Sequence, residues 1–141
     1  GLIFTVGHGA RSAGGLIAIL KEAGIGTLVD VRAYPASRRH PQFSKENLRI
    51  SVMDAGIAYE WQGKALGGMR KSYANHMQTE QFQNGAAGLT KMPGRVCIMC
   101  AESNPAECHR SFISDWLTAN GQRVVHLLDA GKQREHPARL L

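Results

Sequence analysis

The chain has little of what would staple it, anchor it in a bilayer or let it stack on flat ligands. Three cysteines in 141 residues is a small and odd count. That argues against a secreted disulfide framework and makes a reducing cytoplasm the expected setting. No apolar run approaches the roughly 20 residues that a bilayer span requires, so no membrane partner is expected. The chain opens on the apolar run Leu2 to Val6 with no charged stretch and h-region before it, so no leader is expected. Aromatic residues make up only 6%, which leaves few stacking platforms for single strands. Acidic residues are also short, 11 against 17 Lys and Arg, for a net charge of +6.

What is present suits one domain over residues 1–141, with a polar tail from about residue 130. A chain of this size buries roughly 68–70% of its extended surface, enough for a core without staples. The basic residues cluster: Arg38-Arg39-His40, Lys64 with Arg70-Lys71, and Lys132, Arg134, His136 and Arg139. A field of that sign attracts phosphates, on nucleic acids or on small anionic substrates. The same charge also serves solubility.

Apolar runs and helical periods alternate, which predicts an α/β fold: a single-domain three-layer sandwich with a mainly parallel sheet. Leu2 to Val6 is a strand ending at Gly7. A helix from about Ala13 buries Leu16, Ile17, Leu20 and Ala23, and Gly24 sits where a C′ residue belongs. Thr27 to Val31 is the second strand, and Ala33 to Phe43 a loop rich in Pro, Ser and Arg. Ser44 caps a helix that Gly56 stops, and Ile57 to Trp61 is compatible with a short strand. Leu66-Gly67-Gly68 reads as a tight turn. Arg70 to Met92 reads as one or two helices, with Gly85 and Gly88 as candidate breaks. Arg95 to Met99 is a buried strand, Pro105 to Asn120 a helix and Val124 to Leu128 the last strand.

In such sheets, ligands bind outside the carboxyl ends of the strands. Gly7-His8, Asp30 to Arg32, Cys100 to Glu102 and Asp129 all fall at that edge. The densest run of reactive side chains is Cys100 to Arg110. There Asn104 can serve as N-cap, Pro105 as N1 and Glu107 as the N3 partner of a capping box. A thiol beside that helix terminus, near His109 and Arg110, has its thiolate favoured, and Cys100 is better placed for this than Cys108. Cys108 also shares an apolar stripe with Phe112, Ile113, Trp116 and Leu117, so packing is an equal reading for it. Cys97 is mid-strand and reads as core.

Cys97 and Cys100 have C-x-x-C spacing, but on a strand they point to opposite faces, so no metal site is expected. A Cys100–Cys108 redox pair is geometrically open. Cys-x5-Arg is absent, which weakens a phosphatase or rhodanese reading. Gly7 to Ser12 falls one residue short of the dinucleotide fingerprint, with Ser12 at its third glycine, so neither a nicotinamide nor a flavin cofactor is expected. A phosphate or base contact there fits better, and Asp30 lies at about the spacing that meets a ribose. Asp30 and Arg32 read equally as a structural ion pair or as substrate ligands.

Four ordered motifs remain to be placed together. They are Thr5-Val6-Gly7-His8; Val29-Asp30-Val31-Arg32 with Pro35 and Ser37; Leu66-Gly67-Gly68 with Arg70; and Cys100-Ala101-Glu102 with Cys108-His109-Arg110. The set resembles the domain of unknown function 488 family over nearly the whole chain. Gly9 departs from it, where a small hydroxyl residue is more usual. The resemblance implies an α/β sandwich and a shared site at His8, Asp30, Arg32, Cys100, Glu102, Cys108, His109 and Arg110, without their roles.

Together these readings point to a Cys-dependent enzyme acting on a phosphate-bearing substrate, a nucleotide or nucleic acid among the candidates. Cys100 is the expected nucleophile, His109 or His8 the base, and Arg32 and Arg110 the anion clamps, with Glu102 a second acid/base or a partner of Arg110. Asp30, Arg70 and Gly7 complete the expected substrate contacts. The alternative is a basic nucleic-acid-binding module without catalysis, and a third reading is a partner-binding or redox-sensing domain.

Overall fold

The computed structural model describes residues 1–105, 108–129 and 131–137. In chain order the elements are β1 (Leu2–Gly7), α1 (Ala13–Glu22), β2 (Thr27–Asp30), α2 (Lys45–Asp54) and β3 (Ala58–Trp61). Then come α3 (Gly63–Leu66), α4 (Tyr73–His76), α5 (Glu80–Lys91), β4 (Val96–Cys100), α6 (Arg110–Ala119), β5 (Arg123–Asp129) and β6 (Lys132–Glu135). The sheet order is β3-β2-β4-β1-β5-β6. Its first five strands run parallel, and β6 is antiparallel to β5. This is the α/β sandwich that the alternation implies.

Alternation along the strands divides the core in two. Phe4, Val6, Leu28, Cys97 and Met99 face one layer, where they meet Leu16 and Leu20 of α1 and Leu48 and Val52 of α2. Ile3, Val29, Ile98 and Cys100 face the other, against Phe82 and Leu89 of α5 and Ile113 and Leu117 of α6. Cys97 and Cys100 therefore do point to opposite faces, as strand geometry requires. Gly24 (φ 71°) and Gly56 (φ 82°) follow the C-caps of α1 and α2 in the left-handed region, where a side chain would be strained.

The topology fixes where a ligand can enter. The helices after β1 and β2 pack on one face and the helix after β4 on the other. β4 lies between β1 and β2, so the chain leaves in opposite directions on both of its flanks. Crevices open at such switch points. No helix among the described residues is long and apolar enough to cross a membrane.

Three local expectations are corrected. The stretch after Arg70 forms two helices, but the break falls at 77–79, where Thr79 caps α5 by accepting from the Phe82 N–H. Gly85 and Gly88 lie inside α5. The polar segment after 130 is not a tail throughout, because Lys132–Glu135 add to the sheet as β6. Its four exposed polar side chains hid it: an edge strand with no apolar face carries no period-2 signal. The helix expected from Pro105 starts instead at Arg110, with no side-chain cap on His109. Of the proposed capping box, Glu107 lies outside the described residues.

A polar chain crosses the α6 side of the core. Arg110 Nη1 donates to Thr5 Oγ1 (3.2 Å), and the Thr5 hydroxyl meets His126 Nδ1. His126 Nε2 meets His136 Nδ1 (2.9 Å), and His136 Nε2 meets Asp115 Oδ1 (2.7 Å). Because a carboxylate only accepts, His136 Nε2 carries the hydrogen it shares with Asp115. Burial first, then the charges of His136, Arg110 and Arg134, push His126 down to about 3. Its ordinary value is 6.5, so the unfolded chain takes up a proton that the fold refuses. Stability should therefore fall as pH drops from about 6.5 towards 3. Denaturant midpoints measured across that range should show this acid limb, and His126→Gln should make it shallower. An equally steep limb in the variant would mean that another group supplies it.

Candidate functional site

The carboxyl ends of β1, β2 and β4 meet around two adjoining cavities. One, of about 650 Å³, is lined by His8, Arg32, Tyr34, Arg38, Arg39, His40 and Glu102 among others. The second, of about 470 Å³, is lined by Arg32, Tyr34, Met69, Cys100, Glu102, Cys108 and His109 among others. Arg32, Tyr34, Ala101 and Glu102 belong to both.

The floor between them is a buried ion pair. Arg32 Nε and Nη2 donate to the two Asp30 oxygens (2.8 and 2.7 Å), and the Arg32 amide donates to Asp30 Oδ1. Tyr59 Oη donates to Asp30 Oδ2 (2.6 Å), and Arg32 Nη1 donates to the Phe43 carbonyl (2.7 Å). Asp30 is fully buried, and its known donors are all protein groups. It is thus the ion-pair partner of Arg32 and does not line either cavity as a ribose ligand would. Removing one partner of such a pair costs about 3–5 kcal/mol, since the other charge stays buried. His8 stacks on Phe43 at 4.6 Å and donates from Nδ1 to the Gly9 carbonyl (2.8 Å). Burial lowers its pKa, and the nearby Arg32 adds to this, so a neutral Nε2 faces Arg32 Nη1 at 3.5 Å.

Gly7 lies under the cavities as the last residue of β1, beside Cys100. A Cβ there would sit 1.7 Å from the Glu102 carbonyl oxygen, so the glycine lets the 101–104 loop close over the strand end. That is its role here, rather than anion contact. A Cβ at Gly9 (φ 52°) would lie 2.1 Å from Ser103 Oγ, so the departure from the more usual hydroxyl residue matches a crowded loop.

Arg110 is also not at the cavity surface. It is fully buried, with Nη1 on Thr5 and Nη2 on the carbonyls of Glu102 (2.9 Å) and Ser103 (3.2 Å). It cannot clamp a substrate anion without abandoning these partners, so it acts as a strut for the 101–104 loop. Arg70 is exposed and lies on a neighbouring cavity with Lys64 and Trp61. Asp129 instead pairs with Arg11 (3.3 Å), away from both cavities.

The thiols are arranged differently from expectation. Cys100 is only 1% exposed and belongs to the α5–α6 core, whereas Cys108 is half-buried. The Cys100 thiol donates to the Glu102 carbonyl (3.5 Å). Cys108 Sγ accepts from the Arg110 amide (3.5 Å) and meets His109 Nδ1 (3.5 Å). The neighbouring Cys100 thiol, followed by His109 and the Arg110 amide, outweighs burial and pushes the Cys108 thiol down. The neighbouring Cys108 and burial push the Cys100 thiol up. The favoured thiolate is thus at Cys108, which corrects the expectation for Cys100. The physical reason is the late start of α6: its first residue is Arg110, whose amide donates to Cys108 Sγ, so the helix terminus falls just after Cys108 and not beside the end of β4. Cys108 also packs against the α6-side core, so the apolar-stripe reading describes its burial while leaving its sulfur at the cavity.

His109 is held by one ring nitrogen. Its Nε2 meets the Val31 carbonyl at 3.0 Å, and a carbonyl only accepts, so Nε2 carries the hydrogen and Nδ1 is the basic nitrogen facing Cys108. Gly68 packs 3.1 Å behind that nitrogen, measured from where a Cβ would be. Residues that the motifs did not flag complete the site: Tyr59, which bonds Asp30, and Tyr34 and Met69, which rim the cavity. Tyr34 in a Pro/Arg-rich loop was the one readable signal among them.

The sequence model of the domain of unknown function DUF488 matches residues 12–117. That is most of the chain, and the protein belongs to this family. No curated protein and no solved structure matches it.

Brief alkylation of the folded protein near neutral pH, followed by peptide mapping, should label Cys108 first. Cys100 and Cys97 should be protected, both being about fully buried. Labelling of Cys100 ahead of Cys108 would reverse the assignment.

Proposed function

We propose that this DUF488 protein is a cysteine-dependent enzyme acting on a phosphate-bearing substrate, with Cys108 as its nucleophile. The observation that carries the proposal is the environment of Cys108, a half-buried residue on a cavity wall whose sulfur has two hydrogen-bonding neighbours, His109 Nδ1 and the Arg110 amide. A core cysteine needs no such neighbours, whereas a nucleophile works as the thiolate they stabilise.

His109 Nδ1 takes the thiol proton and returns it to a leaving group, with Nε2–H anchored on Val31 throughout. Cys108 Sγ then bonds to the electrophilic centre as the bond to the leaving group breaks; water, losing a proton to His109 Nδ1, next attacks that centre, breaks its bond to sulfur and frees the Cys108 thiolate. Glu102, exposed and shared by both cavities, is the second group placed to hold a proton. Arg38, Arg39 and His40 supply positive charge in the cavity adjoining that of the thiol. Their side chains replace the phosphate loop that the sequence lacks, and Arg32 lies between them and the sulfur. A binding module without catalysis would use the same basic residues and would have no use for a low thiol pKa.

Inorganic tripolyphosphate should slow alkylation of Cys108 by a neutral reagent. The protection should weaken with added salt and be lost in the double variant Arg38→Ala, Arg39→Ala, both exposed positions whose replacement leaves the core intact. Alkylation indifferent to the anion would separate the basic loop from the thiol and sink the proposal.

A further inference from the structure

The two cavities at the thiol are continued by a third, and the three form one groove with a distinct order of chemistry. At one end stand Arg38, Arg39 and His40. In the middle is the thiol cavity, with Tyr34 and Met69 on its rim. At the other end, a cavity of about 420 Å³ is lined by Lys64, Arg70 and Trp61, and again by Tyr34 and Met69. Cation, apolar platform beside the nucleophile, cation: this sequence repeats the layout of a polyanion that carries rings.

Two features of the middle support a ring there. Tyr34 is 75% exposed and Met69 84%, above the other exposed large hydrophobics Ile50, Met53 and Phe112. Side chains that open to water gain most when a flat ligand covers them. Met69 also has φ 61°, the one non-glycine residue with positive φ in the chain's described part. Such strain persists where the surroundings impose it and gathers at ligand clamps. Arg70, next in the chain, donates from Nε to the Gly67 carbonyl (3.0 Å) and from Nη2 to the Lys64 carbonyl (2.6 Å). Those bonds fix the loop that presents Met69. The one carboxylate facing the groove, Glu102, lies at the thiol rather than at either cationic end.

We infer that this groove binds a single-stranded nucleic acid, one base lying on Tyr34 and Met69 beside Cys108, the flanking phosphates on Arg38 and Arg39 to one side and on Lys64 and Arg70 to the other. The inference rests on the thiol reading above for the identity of the reacting cavity. A mononucleotide would occupy the middle and one end only. A duplex keeps its bases stacked, out of reach of a recessed sulfur.

The test uses the full chain and a short fluorescent single-stranded homopyrimidine, in DNA and RNA forms, followed by anisotropy over a salt series. Log affinity should fall against log salt by about 0.7 per phosphate contact. Arg38→Ala with Arg39→Ala should flatten that slope by about 0.7 for each charge removed. Tyr34→Ala should weaken binding by about 5- to 150-fold, the worth of one stacked base, with the slope unchanged. Tyr34 is exposed, so its loss does not threaten folding, and a matching melting curve verifies that. A blunt duplex or a mononucleotide binding as tightly as the single strand would overturn the inference, as would a Tyr34→Ala variant that binds normally. Cys108 alkylation on the same samples keeps the two claims apart. Tight strand binding with an inert Cys108 supports the groove and overturns the thiol chemistry, whereas a reactive Cys108 in a protein that ignores strands overturns the groove alone.

Discussion

Arg110 carries a charge into the fully buried layer between the sheet and α6, and the site above it takes its form from how that charge is satisfied. A guanidinium removed from water must find acceptors. This one finds Thr5 in β1 and the carbonyls of Glu102 and Ser103; its Nε has no partner among the described residues. Turning two successive carbonyls inward bends the loop after β4 over the guanidinium, and only a glycine at position 7 leaves room for the Glu102 carbonyl. The helix then begins at Arg110 itself, which places Cys108 and His109 just before its first turn.

From there the electrostatics follow. The Cys100 thiol keeps its hydrogen on the Glu102 carbonyl, and the two neighbouring sulfurs divide, Cys100 pushed up and Cys108 pushed down. The Asp30–Arg32 pair plays a parallel part on the other flank of β4. Held by Tyr59 and the Phe43 carbonyl, it fixes a cation at the junction of the two cavities. The scaffold thus presents one anion-forming sulfur and several cations within one crevice. Local charge is organised by buried hydrogen bonds, and the exposed basic loop adds the long-range field.

Much of the fold was legible because apolar periodicity reports burial directly. Four of the parallel strands, α1 with Gly24 after it and α2 with Gly56 after it declare themselves in that way, whereas β3, with no buried residue, was only compatible with a strand. β6 did not, since an exposed polar edge strand buries nothing. The position of the site was legible too, because a parallel sheet sends its strand ends to one edge, and His8, Arg32, Cys100 and His109 gather there. The division of labour was not. Which sulfur ionises depends on where a helix starts, and that start was decided by a buried arginine rather than by the capping residues Asn104 and Pro105. Likewise Arg110 reads in sequence as an anion clamp, and only its partners in space show it to be a strut. The His126–His136–Asp115 chain spans three elements, so no local pattern announces it.

The central claim is that the thiolate belongs to Cys108 and is made by its neighbours Cys100, His109 and the Arg110 amide. Ultraviolet thiolate absorbance, followed as the folded protein is titrated from acid to neutral, tests it most directly. The account predicts a signal that appears well below the ordinary thiol range, vanishes in Cys108→Ser and moves to higher pH in Cys100→Ala. A signal that appears only in the ordinary thiol range, or that survives the loss of Cys108, would contradict it.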